Sequence, residues 1–271
     1  MVTKVDSITL ANGVMLQYVE QGDPSGIPML LLHGVTDSWR SFEPVLPHLP
    51  ASIHAFALTL RGHGDASRPP TGYRYSDFAA DLAAFMDAIG LESAVIVGHS
   101  LGRAIAQRFA IDHPQRTLGV VLMGSFAGDA ENPVLVEVAE SVSMLTDPID
   151  PDFVREFQES TLAQPVSPVF METVVQESLK VPAWVWHAAF AGLREDDVAA
   201  ELGKISAPTL VVTGDQDGFT PMDEVEARTR EIPGARLAVY QGAGHAFHWE
   251  EPTRFAADLA AFTRTLPPRR S

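Results

Sequence analysis

The pentapeptide Gly98-His99-Ser100-Leu101-Gly102 sets a serine between two glycines. It follows the apolar run Ala94-Val95-Ile96-Val97 and precedes residues 101–113, whose apolar spacing is helical. G-x-S-x-G between a strand and a helix is the pattern of a nucleophile elbow. So tight a turn holds its serine in a strained conformation, and bulkier neighbours would clash, which the glycines avoid. The hydroxyl is lifted out at the carboxyl end of a sheet, beside the positive end of the helix. A serine hydroxyl is a weak nucleophile at neutral pH. It needs a base to take its proton, and the base needs a partner to fix its tautomer. Two late histidines fit the first role, His245 and His248, both after the strand-like residues 236–240. Two carboxylates fit the second, Asp215 and Asp217, both after the apolar run Thr209-Leu210-Val211-Val212. Each has a bland alternative: a surface-loop histidine, or an aspartate bonded to its own turn backbone.

The elements that must position these groups are legible in outline. Residues 5–10 and 14–19 alternate about Asn12-Gly13, a hairpin signal. Met29-Leu30-Leu31-Leu32 and residues 53–59 read as strands buried on both faces, as does 94–97, with 118–123 a further strand. Ser76 resembles a helix N-cap, with Phe78, Leu82, Phe85 and Ile89 at helical spacing and Gly90 closing the helix. A strand at 209–212, a helix at 222–231, a strand at 236–240 and an amphipathic helix at 253–266 follow. Strands alternating with helices at this spacing predict an α/β protein with a mostly parallel central sheet flanked by helices. Residues 128–202 break the rhythm. Helix-like pieces at 134–145, 153–162, 169–179 and 183–192, punctuated by prolines, predict a helical insertion. The expected division is therefore a core of 1–127 and 203–271 with a cap of 128–202.

Composition removes several classes of function. With 35 Asp and Glu against 19 Lys and Arg the net charge is −16 over 271 residues. That charge repels phosphate backbones and anionic membranes, so nucleic acid is not an expected partner. There is no cysteine, which excludes disulfides, thiolate catalysis and cysteine-ligated metals. No apolar run reaches the ~18 residues of a membrane span. The first residues lack a basic segment followed by a long apolar core, and a cytoplasmic location is expected.

Taken together, the motifs resemble the α/β-hydrolase superfamily, in its branch of small cofactor-free serine hydrolases with a helical cap. The resemblance rests on His33-Gly34 after a buried strand and Arg61-Gly62-His63-Gly64 after the next. It rests further on the Ser100 elbow, on Gly214-Asp215-Gln216-Asp217 after a late strand, and on Gly244-His245 near the end. Serine, acid and histidine occur in the chain order this fold uses. The resemblance implies His245, directly after its glycine, as base, and Asp217, ahead of Gly218-Phe219-Thr220-Pro221, as orienting acid. It implies backbone N–H groups of Val35 and Leu101 as oxyanion donors, and structural roles for the 61–64 loop and His99. Arg103 departs from the family, where a small residue is commoner; its bulk is expected to face solvent or a neighbouring loop. Trp39, Trp184, Trp186 and Phe190 are candidate pocket residues, with core packing the competing role.

A serine nucleophile also selects among reactions. Family members that open haloalkanes or epoxides carry an aspartate there, because their alkyl intermediate is an ester that water cleaves; serine would leave a stable ether. Ser100 therefore implies acyl transfer without metal or organic cofactor, on a small or medium apolar carboxylic ester. Lactones, thioesters, peracid formation and carbon–carbon cleavage use the same triad, and some proteins of this fold act as slow-turnover ligand receptors.

Overall fold

The computed structural model describes residues 4–124, 133–195 and 198–267. The expected start of the cap at residue 128 and the basic tail at 268–271 lie outside them.

Among the described residues, eight strands form one sheet: β1 (Val5–Thr9), β2 (Met15–Gln21), β3 (Ile27–Leu32), β4 (Ile53–Thr59), β5 (Ala94–His99), β6 (Thr117–Met123), β7 (Thr209–Gly214) and β8 (Arg236–Tyr240). Their order is β1-β2-β4-β3-β5-β6-β7-β8. The β1–β2 and β2–β4 pairs are antiparallel and the rest parallel. The parallel strands are apolar on both faces because helices cover both; β4 and β5 are buried at every residue. The Asn12-Gly13 signal does make the β1–β2 hairpin, with Gly13 at φ 83° and Leu10 N–H bonded to the Val14 carbonyl at 2.8 Å.

Among the described residues, five helices belong to the layers about this sheet or close to them: α1 (Tyr75–Ala88) and α2 (Leu101–Asp112), and later α7 (Met222–Glu231), the single turn α8 (Phe247–Glu250) and α9 (Pro252–Thr263), with short 3-10 turns such as Trp39–Phe42 between. Four more, α3 (Pro133–Ser143), α4 (Pro151–Glu159), α5 (Pro168–Leu179) and α6 (Ala183–Glu195), run between β6 and β7 without a strand among the described residues. Proline stands at the first position of α3, α4 and α5, where a missing N–H costs nothing. One boundary differs from the sequence reading. Ser76 is not the cap of α1 but lies inside its first turn, which begins at Tyr75; Asp77 Oδ2 instead accepts from the Arg74 N–H at 3.0 Å. A carboxylate three residues into the helix closes the turn that the serine was expected to close.

Register decides where chemistry can gather. Leu32 pairs with Gly98, His99 with Met123, and Gly214 with Tyr240. The loops after β3, β5, β6, β7 and β8 therefore leave the same edge of the sheet, the carboxyl edge where ligands of open α/β sheets bind.

Candidate active site

Ser100 sits at φ 52° and ψ −113°, with positive φ in a residue other than glycine. Such a conformation costs on the order of 1–3 kcal/mol and persists only where the surroundings impose it. The backbone imposes it here. The Ser100 N–H donates to the Met123 carbonyl at 3.0 Å, and the Gly102 N–H to the His33 carbonyl at 3.1 Å. A Cβ at Gly98 would fall 2.0 Å from the Gly102 oxygen, and one at Gly102 would fall 2.3 Å from the Leu32 oxygen. The two glycines are thus required by contact.

His245 and Asp217 meet. The imidazole Nδ1 lies 2.9 Å from Asp217 Oδ2, with side-chain exposures of 6% and 0%. Asp217 Oδ1 accepts the Phe219 N–H at 2.8 Å, which fixes the carboxylate in its turn. Burial pushes the Asp217 carboxyl up, but the charge and hydrogen bond of His245 and the Phe219 N–H outweigh it, leaving it below the usual carboxylate range. Asp215 does something else: its Oδ1 accepts the Gly242 N–H at 2.7 Å, tying the loop after β7 to the loop after β8. His248 is fully buried on α8, its Nε2 3.1 Å from Ser41 Oγ and away from both aspartates of this loop. Room for His245 is left by Gly124, where a Cβ would stand 2.9 Å from the imidazole Cε1.

Ser100 and His245 line one cavity with Val35 and Leu101, enclosing about 630 Å³ of space out to its mouth. The far walls are Leu135 and Val138 of α3, Phe157 of α4 and Phe190 of α6, so the helices between β6 and β7 supply an apolar lining. Of the aromatic residues suggested by sequence, Phe190 lines the cavity and the three tryptophans do not. Trp186 is fully buried against Phe153 and Phe157, its N–H bonded to the Val181 carbonyl at 3.2 Å. Trp184, two positions away and so on the opposite helix face, is 38% exposed and meets the edge of Tyr73. Trp39 packs in the core below the sheet edge. Arg103 does not face solvent: it is buried, lines the cavity and donates from Nη1 to Gln107 Oε1 at 2.8 Å.

The loops beneath are braced by buried neutral imidazoles. His33 Nε2 accepts the Leu60 N–H at 3.0 Å, and His99 Nε2 donates to the His245 carbonyl at 3.1 Å. Burial pushes the His99 pKa down to about 3 and that of His63 to about 4. Arg61 forks onto Asp81, at 2.5 Å from both nitrogens used, which makes the 61–64 loop structural.

Sequence reasoning missed Asp37, Gln158 and Thr161, all of which line the cavity. Asp37 is buried, accepts from Gln158 at 3.1 Å and from Ser41 at 3.3 Å, and burial pushes its carboxyl up to about 7. Thr161 accepts the Ala246 N–H at its carbonyl, 3.0 Å, next to His245. The available signal was Gln158 itself, a polar residue four positions after Val154 on the inward face of α4. Among the described residues no three His, Asp or Glu side chains converge as metal ligands would, and no helix is long and apolar enough to cross a membrane.

The sheet order, the strained serine at the end of β5 and the buried acid–histidine pair define the class. The sequence model of the α/β hydrolase fold matches residues 27–170 and 128–252, and the chain belongs to that family. It is 27% identical to the non-heme chloroperoxidase of Streptomyces lividans over 96% of this chain and 99% of that protein. It is 28% identical to the 2-hydroxymuconate semialdehyde hydrolase of Pseudomonas sp. strain CF600 over 93% and 92%. The solved structure of the esterase RhEst1 from Rhodococcus sp. ECU1013 superposes with a TM-score of 0.85 at 24% identity, covering 97% of this chain and 99% of that one, a likeness of fold.

Proposed function

We propose that the protein is a serine hydrolase that cleaves small to medium apolar carboxylic esters through an acyl-enzyme on Ser100. The observation that carries this reading is the 2.9 Å contact between buried His245 and Asp217, on a histidine that shares a cavity with the strained Ser100. Residues 128–202 act in this reading as a cap over a core of 1–127 and 203–271.

Ser100 attacks the ester carbonyl while His245 takes its proton. Asp217, held low by that same imidazole, keeps Nδ1 protonated and stabilises the imidazolium. The N–H groups of Val35 and Leu101 hold the oxyanion. His245 then protonates the leaving alcohol, and water activated by the same ring releases the acid. No step calls for a metal or an organic cofactor. The lining of Leu135, Val138, Phe157 and Phe190 supports an apolar acyl or alcohol group.

The test is turnover of short-chain p-nitrophenyl esters by wild type and Ser100→Ala, with a phosphonate label mapped by mass spectrometry. We expect Ser100→Ala to lose at least about 10⁴-fold in kcat and all labelling. Equal rates in the two proteins defeat the reading. Extending the panel to lactones, thioesters and peracid formation separates reactions that share the triad. Turnover below about one per minute with tight ligand retention would mark a receptor, set against the ~1–10³ s⁻¹ usual for enzymes.

A further inference from the structure

The turn after β3 carries Val35 and bears a strain of its own. The Asp37 N–H closes on the Gly34 carbonyl at 3.3 Å, and Thr36, third in that turn, stands at φ 69°. A β-branched residue in the left-handed region is a genuine outlier; such a turn ordinarily takes glycine or asparagine there. Unlike the serine elbow, it is restrained through side chains that come from the helices between β6 and β7. Gln158 of α4, 1% exposed, donates from Nε2 toward Thr36 Oγ1 (3.2 Å), Asp37 Oδ1 (3.1 Å) and Ser178 Oγ of α5 (2.8 Å). Thr36 Oγ1 donates to Ser178 Oγ at 3.3 Å, and Ser178 Oγ to the Val174 carbonyl at 3.0 Å. Thr36 Oγ1 and Ser178 Oγ each spend their proton elsewhere, on Ser178 Oγ and on the Val174 carbonyl, and so meet the Gln158 amide as acceptors.

We propose that Gln158 is a positioning residue for the oxyanion hole: by gripping Thr36 and Asp37 from the cap it holds the Val35 N–H in place opposite Ser100. The inference rests on the acyl-transfer reading above. Two facts give it force. The gripped residues are the two that follow Val35 directly, so slack in them passes to its N–H. The grip also spans 121 and 122 residues of sequence, joining the turn to a helix between β6 and β7. The oxyanion hole is then complete only when α4 and α5 are seated.

The experiment is steady-state kinetics of Gln158→Met on p-nitrophenyl acetate, beside inhibition by a trifluoromethyl ketone whose adduct places an oxyanion in the hole. Deleting an oxyanion donor outright typically costs ~10²–10³, so a displaced one should lower kcat about 10–100-fold with KM within about 3-fold. Affinity for the ketone should fall by the factor lost in kcat/KM. Thr36→Gly already deletes the Oγ1 that Gln158 grips, so the further deficit from Gln158→Met should be several-fold smaller in that background. A kcat within about two-fold of wild type, a loss confined to KM, or no relief by Thr36→Gly overturns the proposal. If Gln158→Met does not fold, Gln158→Glu keeps the chain length while turning an acceptor toward Asp37, and the same kcat-selective loss is expected or the proposal fails. The Ser100→Ala control runs in parallel: retained activity there sinks the acyl-transfer reading, whereas Gln158 variants with wild-type kinetics sink only this inference.

Discussion

Two turns at the carboxyl edge of the sheet hold a non-glycine residue at positive φ, and they hold it by different means. At Ser100 the restraint is main chain against main chain: Gly98 against the Gly102 oxygen, Gly102 against the Leu32 oxygen. At Thr36 it is side chain against side chain, through Gln158 and Ser178. The first turn has its geometry from its own strand and helix. The second borrows it from helices more than 100 residues later. In the proposed reading, Ser100 is thus held by the core alone, while the turn that carries Val35 depends on the helices between β6 and β7.

The contrast is broken most severely at the glycines. Gly98→Ala must displace backbone, because its Cβ would lie 2.0 Å from the Gly102 oxygen. We expect a loss of at least about 4 kcal/mol, enough to leave little folded protein, read by chemical denaturation. Thr36→Gly should by comparison cost only about 1–3 kcal/mol, because released strain offsets part of the added chain entropy and of the lost Oγ1 hydrogen bonds to Gln158 and Ser178. A stable Gly98→Ala with native activity would show that the elbow is not held as described.

The acid pair separates next. Asp217→Asn should lower kcat by about 10⁴, as loss of the orienting carboxylate leaves the base in the wrong tautomer. Asp215→Asn should change kcat no more than a few-fold, because its carboxylate holds the Gly242 N–H and not the imidazole. Both are read by steady-state kinetics, and a reversed ranking would move the acid to Asp215.

These differences track what was legible in the sequence. Close backbone approach demands glycine, so the elbow, Gly244-His245 and Gly214-Asp215-Gln216-Asp217 announce themselves as motifs. Gly214 and Gly244 have Cβ positions 2.1 Å from the Ala243 oxygen and 2.6 Å from the Ala163 nitrogen. The strands and the helical run between β6 and β7 follow from buried apolar runs and prolines, whereas the strand order, with β4 ahead of β3, does not. Gln158, Asp37 and Thr36 were not legible, because a side-chain restraint needs no special residue type at either end. Trp184 and Trp186 were misleading in a simpler way. Residues two apart on a helix face opposite directions, and neither reached the cavity that Phe190, four after Trp186, does line.

Beneath both turns lie buried histidines, and they give the fold an acid-side weakness. Burial lowers His99 to about 3 and His63 to about 4, and takes His33 and His248 well below the ordinary 6.5. As pH falls through 6.5 the unfolded chain binds these protons and the native one does not. The unfolded state therefore holds more protons, and stability rises with pH across roughly 4 to 6.5. Asp37 works the other way, keeping its proton in the native state up to about 7, but as one group against four. The melting temperature should be clearly lower at pH 5 than at pH 7; an unchanged or higher value at pH 5 would show that these imidazoles are not held neutral.

Asp37→Asn keeps the shape of the side chain and removes only its titration, and its effect should be the smallest and the most specific. The native carboxyl is pushed up to about 7 by burial, against the pull of Gln158, Ser41 and the charge of His245. Between its ordinary 3.8 and 7 the native state holds a proton that the unfolded state has released, so this group costs stability progressively as pH rises through that window, and the cost levels off above it. An amide does not titrate. Whatever Asn loses in bonding to Gln158 is the same at every pH, so the stability difference between variant and wild type isolates the carboxyl. That difference should move in favour of Asn between pH 5 and pH 8 in urea denaturation. Were it flat, Asp37 would have to be ionised throughout, and Gln158 would be gripping a permanent charge in place of a carboxyl that changes state near neutrality.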